Sequence, residues 1–237
     1  RILGTLSLIT MLIASFLLDY FKTKGLVFIG FAIIFLIASI ARFIVGLSYI
    51  KQYEPKSKIK KSKNFEVLTF LKSLPSNNLG KFTLFGSLMK LSAFIAAPFF
   101  AVYVLRDLQL SYLWFTLITI STTLFTLISI EVWGRFADKY GNKTLLKISG
   151  FLLPLVPILW VVSPNPIYLI FVPQAVAGIA WAAFNLGSAD FFFDAVPSEK
   201  RPSLIAYYNL LIGAGILIGS LLGSTLIKFI PITFINK

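Results

Sequence analysis

Apolar runs too long for a soluble core helix alternate with brief polar gaps along the chain. Seven such runs stand at residues 2–19, 26–50, 83–105, 112–133, 144–162, 167–193 and 203–230. Several exceed the roughly 18 apolar residues that mark a membrane-spanning helix. The gaps between them are short (DYFKTKG, RDLQLS, GRFADKYGN, SPNP and DAVPSEKRP), except for one long gap at 51–82. The pattern predicts an all-α integral membrane bundle with about seven transmembrane helices.

Composition agrees on the solvent. Hydrophobic residues make up 57% of the 237 and charged residues 13%, with a mean hydropathy of +0.87. A soluble domain carries about 25% charged residues, so the expected partner of this surface is the lipid bilayer. The net charge of +13 does not form a stripe that suits nucleic acid. It sits in the polar gaps, where the positive-inside rule applies. On one side lie eight cations of the long gap (Lys51, Lys56, Lys58, Lys60, Lys61, Lys63, Lys72 and Lys81). The same side holds Arg135, Lys139, Lys143, Lys147, Lys200 and Arg201, whereas the opposite loops carry Lys22, Lys24 and Arg106. This bias predicts a multi-pass protein of the cell membrane with the 51–82 segment in the cytoplasm. In that segment, Phe65, Leu68, Leu71 and Leu74 follow KSKIKKSK near one helical face, as in an interfacial helix under a basic run.

The absence of cysteine excludes disulfides and thiolate metal sites, and the absence of histidine removes the commonest general base and metal ligand. No metal site, cofactor or nucleotide-binding G-x-x-x-x-G-K-S/T run is expected, and no paired intramembrane carboxylates suggest an enzyme. The run at 2–18 lacks a small-residue cleavage site, so it reads as a true span. With Arg1 first, the chain reads as a fragment that begins inside a longer protein.

The gap after the fourth run carries the most specific signal. Residues 133–143 read WGRFADKYGNK, in which Gly134, Asp138, Lys139, Gly141 and Lys143 form G-x-x-x-D-K-x-G-x-K beside Arg135. Between two spans on the positive side, this resembles the loop signature of the major facilitator superfamily of secondary transporters. VPSEKRPSLIAYYNLLIGAGILIGSLLG also resembles that family's acidic-basic loop running into a glycine-rich helix. There Gly215, Gly219 and Gly223 recur every fourth residue, a face that lets helices approach closely.

The resemblance implies two six-helix halves joined by a long cytoplasmic loop. Residues 1–50 would be the last two helices of the first half, 51–82 the basic linker, and 83–237 five helices of the second half. The chain would thus resemble helices five to eleven. It would carry an unknown small solute by alternating access, with proton or ion coupling as one option. Within the motif, the cations mark topology, and Gly134 and Gly141 allow close packing and a tight turn. Asp138, read as lying beside a helix N-terminus, would latch the halves together against the chain near Arg1 and Gly4. One departure stands out. Drug–proton antiporters of the family carry a glycine- and proline-rich motif in the fifth helix, and the first run here has only Gly4 and no proline.

Ionisable groups inside a span are functional candidates by default. Arg42 and Lys90 qualify, although snorkelling toward headgroups would also account for them. The resemblance places the Lys90 helix and the sixth run beside the central cavity. In the sixth run Gln174, Trp181, Asn185 and Ser188 follow helical spacing on one face. A substrate path and an interhelical hydrogen-bond seam both fit that face. The hydroxyl stripe Thr116, Thr119, Thr122, Thr123, Thr126 and Ser129 is expected to bond back to its own helix. Glu131, Asp190 and Asp194 are the candidate coupling carboxylates. A seven-helix receptor or photoreceptor using Lys228 is the alternative, weakened by the lack of a mid-span acidic counter-ion. A membrane enzyme is a weaker one.

Overall fold

The computed structural model describes residues 2–50, 52–53, 70–72, 74–197 and 200–229. Helices α1 (Ile2–Thr23) and α2 (Val27–Ile50) form a hairpin through Gly25, whose φ of +71° favours glycine. Helix α3 (Asn78–Val102) runs into one wide π turn at Tyr103–Asp107, and α4 (Tyr112–Tyr140) follows. Helices α5 (Asn142–Leu152) and α6 (Leu155–Val162) make one span interrupted at Pro154. Helices α7 (Pro166–Phe171) and α8 (Pro173–Ala195) make another, interrupted where Pro173 has no N–H to continue the ladder. Helix α9 (Arg201–Phe229) closes the order. Among the described residues, seven helical segments are long and apolar enough to cross a membrane.

Two helix boundaries differ from the hydrophobic runs in a way that matters. Helix α3 starts at Asn78, ahead of the apolar run, because the Asn77 side chain caps it and accepts from the Gly80 N–H at 2.6 Å. Helix α4 continues past Trp133 to Tyr140, so Gly134 to Lys139 occupy its last turns rather than a loop. Apolarity tracks the bilayer, but hydrogen bonding sets helix length, and a capped helix extends beyond the membrane it crosses.

The bundle is built on two close helix pairs. Helix α9 packs along α3 with Gly215, Gly219 and Gly223 facing the backbone carbonyls of Ser87, Leu91 and Ile95. A Cβ at any of the three would sit inside 3.0 Å of those oxygens, so only glycine admits this approach. Ser87 Oγ ties the pair by donating to the Leu211 carbonyl at 2.7 Å. The second pair is α4 with α8, where Gly178 lies against the Thr122 carbonyl and Phe125. Helix α5 packs on α8, α1 packs on α4, and α2 touches the bundle mainly through α1. Apolar side chains of α2 are exposed around its circumference, as on a helix that meets lipid or further helices.

Two buried clusters occupy opposite ends of the bundle. One includes Phe82, Leu146, Phe184 and Phe192 near the motif, and the other Val104, Ile118, Trp160 and Leu169. Trp181 packs against both. Just before α3, Phe70 and Leu74 are buried, with the Phe70 ring 5.2 Å from that of Tyr207, whereas Leu71 is exposed. The buried face there runs through positions 70 and 74, and Phe65 and Leu68 lie outside the described residues.

Candidate substrate cavity and loop motif

Lys90 stands near the middle of the 30-residue segment Asn78–Asp107. The cap at Asn77 puts it twelve residues into its helix, about 18 Å along the axis at 1.5 Å per residue. Because α3 begins ahead of the apolar run, that distance includes helix outside the bilayer, and from Thr83 at the start of the run Lys90 lies seven residues in, about 10 Å. Its ammonium lies 3.8 Å from the centroid of the Trp181 ring and 5.8 Å from that of Phe184. Trp181 and Phe184 meet edge to face at 5.5 Å, which holds the indole under the cation. Among the described residues, no carboxylate pairs with Lys90.

Magnitudes decide what this arrangement leaves over. A desolvated cation–π contact contributes about 2 kcal/mol. A lysine at the centre of a bilayer costs roughly 2.5–3.5 kcal/mol on insertion scales, and more on others. The ring therefore offsets only part of the cost, and water or an anion has to supply the rest. The cavity at Lys90 can hold either. It is a partly open cavity of about 300 Å³, lined by Lys90, Ala93, Phe94, Ala97, Phe100, Leu153, Val156, Pro157 and Trp181. Phe100 is backed by Trp160, stacked at 4.4 Å and 13°. The wall is apolar and aromatic with a single charge, and its volume falls at the small end of the roughly 300–1,000 Å³ of ligand pockets.

The face drawn through Gln174, Trp181, Asn185 and Ser188 has divided uses. Gln174 Oε1 accepts from the Thr122 hydroxyl at 2.6 Å, in the α4–α8 seam. Thr126 donates to the carbonyls of Thr122 and Gly178, and Trp133 Nε1 donates to the Ile179 carbonyl at 2.9 Å in the same seam. Trp181 alone of the four lines the Lys90 cavity. Asn185 is exposed and Ser188 buried. The hydroxyls of Thr119 and Ser129 bond back to Phe115 and Phe125, as that stripe predicts.

At the motif, Gly141 ends α4 with φ +80° and ψ 155° and donates its N–H to the Ala137 carbonyl at 2.7 Å. That backbone region is open to glycine almost alone. A Cβ on Gly134 would meet no described atom within 4 Å, so the close packing expected there is not seen among the described residues. Arg135 pairs with Glu131 at 2.6 Å across one turn. Asp138, expected beside a helix N-terminus, sits instead on the C-terminal turn of α4, exposed and without a partner among the described residues. Arg1 lies outside the described residues. Lys143 and Lys147 of α5 join Lys81 of α3 around a second cleft of about 400 Å³, floored by Phe82, Phe85, Leu146 and Phe191. Among the carboxylates, Asp194 accepts weakly from Asn142 at 3.3 Å, and Asp190 has no partner among the described residues.

One contact had no signal in the linear pattern. The Asp19 carboxylate of α1 accepts from the backbone N–H groups of Tyr112 and Leu113, both at 2.9 Å, capping the start of α4. Lys22 lies 5.4 Å from the Tyr112 ring centroid, and Phe31 of α2 meets that ring edge-on at 6.0 Å. The partners are more than ninety positions apart, so no local spacing could reveal them.

Comparison with known families fixes the class. A model of the Major Facilitator Superfamily matches residues 82–235. The chain belongs to the Major Facilitator Superfamily. The superfamily match takes in α3 to α9, the cavity and the motif. Solute carrier family 22 member 18 of Rattus norvegicus is 30% identical over 129 residues, covering 52% of this chain and 31% of that protein. Solute carrier family 67 member A1 of Homo sapiens is 28% identical over 131 residues, 53% of this chain and 30% of its own length. A probable efflux pump, gsfJ of Penicillium aethiopicum, is 28% identical over 93 residues, 39% of this chain and 17% of its own. The aligned parts thus span less than a third of each relative. No solved structure matches the chain. Superfamily membership and the seven apolar helical segments make this a multi-pass membrane protein.

Proposed function

We propose that the protein is a secondary transporter that carries a small solute by alternating access, with Lys90 and Trp181 in the solute path. The observation that carries this reading is a cation within a membrane-spanning helix, facing a cavity and only partly compensated by an indole ring. A packed structural bundle gains nothing from such a group, whereas a path filled by water and solute requires polar wall. The 51–82 linker and the motif then face the cytoplasm, in line with the distribution of lysine and arginine. Of the three candidate coupling carboxylates, Asp190 alone has no partner among the described residues, and we take it as the first candidate for proton coupling.

The described chain has no cysteine, which gives a clean test. In the whole transporter, freed of any other cysteine, Ala93→Cys should react with a membrane-impermeant maleimide in right-side-out and in inside-out vesicles. Reaction from one face only, under all solute and ion conditions, would sink alternating access through this cavity. Loss of proton-driven uptake in Asp190→Asn, with solute exchange retained, is the expected outcome for coupling; unchanged proton-driven uptake removes Asp190 from that role.

A further inference from the structure

We infer that the Lys90 cavity takes an organic anion with a flat apolar body, its acid group on the lysine and its body against Trp181, Phe94 and Phe100. This rests on the transport reading and adds the chemical class of the solute. Among the described residues the wall supplies one charge, and it is positive. No carboxylate among the described residues neutralises it. The half-buried ammonium stands in a cavity walled by alanine, phenylalanine and proline, where water screens it less than in bulk. A cationic solute would be repelled by it. A neutral solute would displace the water that solvates it and leave it bare.

The apolar wall narrows the class further. Small inorganic anions hold their own hydration, and this wall offers them no ring of donors in exchange. An acid carried on an aromatic or compact hydrocarbon frame matches both parts. Its acid group meets Lys90, and its flat body lies among rings held in place by the Phe100–Trp160 stack and the Trp181–Phe184 contact. The Trp181 indole then acts as the resting partner of Lys90. It holds the ammonium in position when the site is empty and shares it when the anion arrives.

Three probes of one shape separate the possibilities: 2-naphthoate, 2-naphthylmethanol and 2-naphthylmethylamine, each measured by equilibrium dialysis against the whole transporter in nanodiscs. Saturable binding of the acid is expected, with the alcohol weaker by about tenfold and no saturable binding of the amine. This comparison needs no variant. Lys90→Gln should weaken the acid by about tenfold, Lys90→Arg should restore most of the loss, and Trp181→Phe should cost about threefold. Equal binding of the three probes, or an acid that binds Lys90→Gln as well as the unmodified protein, overturns the inference. Chloride or phosphate that competes as well as the acid overturns the organic part of it. Two-sided labelling of Ala93→Cys without naphthoate binding leaves the transport reading standing and removes the anion, so the two ideas fail separately.

Discussion

At the Tyr112 end of α4, a carboxylate from the first pair of helices closes on the bundle; at the Tyr140 end, a carboxylate stands in the open. Asp19 takes two backbone N–H groups at 2.9 Å, with Lys22 and Phe31 packed on the adjoining Tyr112 ring. Asp138 is exposed and has no partner among the described residues. Helix polarity sharpens the contrast. Asp19 meets the positive end of α4, where an anion is favoured, and Asp138 sits on the negative end, where it is not. One helix is thus fastened to α1 at one end and carries at the other an exposed acid with no partner among the described residues. Under the transport cycle proposed above, such asymmetry is expected of a single conformation.

Removing the fastening should have the largest effect. Asp19→Ala loses two charge-assisted hydrogen bonds and leaves the Tyr112 and Leu113 N–H groups without an acceptor, while Ser111 still caps Trp114, a loss of about 2–3 kcal/mol. The expected result is a shift of roughly thirtyfold or more away from the closed Tyr112 end. Spin labels on the ends of α1 and α4 would report it as a longer distance distribution. Asp19→Asn, which still accepts one hydrogen bond, should lie between. An unchanged distribution in Asp19→Ala would mean that the cap does not hold the two helices together.

The motif end is expected to respond through its backbone next. Gly141→Ala meets no neighbouring atom, so any loss must come from φ +80° and ψ 155°. Such strain costs about 1–3 kcal/mol, and it falls on the turn between α4 and α5. A lower thermal midpoint with intact Asp19 contact distances is the predicted signature. By contrast, Gly134 lies inside α4 with no described atom within 4 Å of an added methyl, so Gly134→Ala should stabilise slightly, by about 0.5–1 kcal/mol of helix propensity. A large loss in Gly134→Ala would show that a helix outside the described residues packs there.

How much of this was legible beforehand depends on the range of the interaction. The seven spans follow from local apolarity, and the small-residue face of α9 shows in spacing alone because glycine recurs each turn at positions 215, 219 and 223. The motif was legible as a signature, but its place on the last turns of α4 was not, since charge predicts where the bilayer ends and not where the helix does. Lys90 and Trp181 were visible as oddities in apolar runs. Their contact, and the engagement of Gln174 by Thr122 instead of the cavity, depend on how three helices rotate against one another. Asp19 looked like a span boundary and nothing more. A cap supplied from another helix has no period to read.

The third prediction tests whether the open acid matters. The penalty for an acid on the last turn of its own helix is common to both states and shifts nothing between them. The latch that superfamily resemblance suggests for the opposite state does differ, so its loss in Asp138→Asn should favour the state with the Asp19 cap closed by about two- to fivefold. Double labelling across both ends should show the Tyr112 end closed more often and the motif end open more often. A shift in the reverse direction would mean that Asp138 stabilises the conformation described here through a residue beyond those described.

The smallest effect is expected one turn earlier, at Glu131. Its contact with Arg135 is short, at 2.6 Å, but both side chains are more than half exposed, at 57% and 80%. Water and salt screen such a pair, and an exposed i,i+4 bridge contributes about 0.3–0.5 kcal/mol. Glu131→Gln should therefore leave the thermal midpoint within about 2 °C at moderate salt. It should also leave the spin-label distances at both ends of α4 unchanged. Glu131 has a further contact, which makes this a meaningful bound. If Glu131→Gln moved the Tyr112 end as strongly as Asp19→Ala does, the two ends of α4 would be one coupled device instead of one fastened end and one free one.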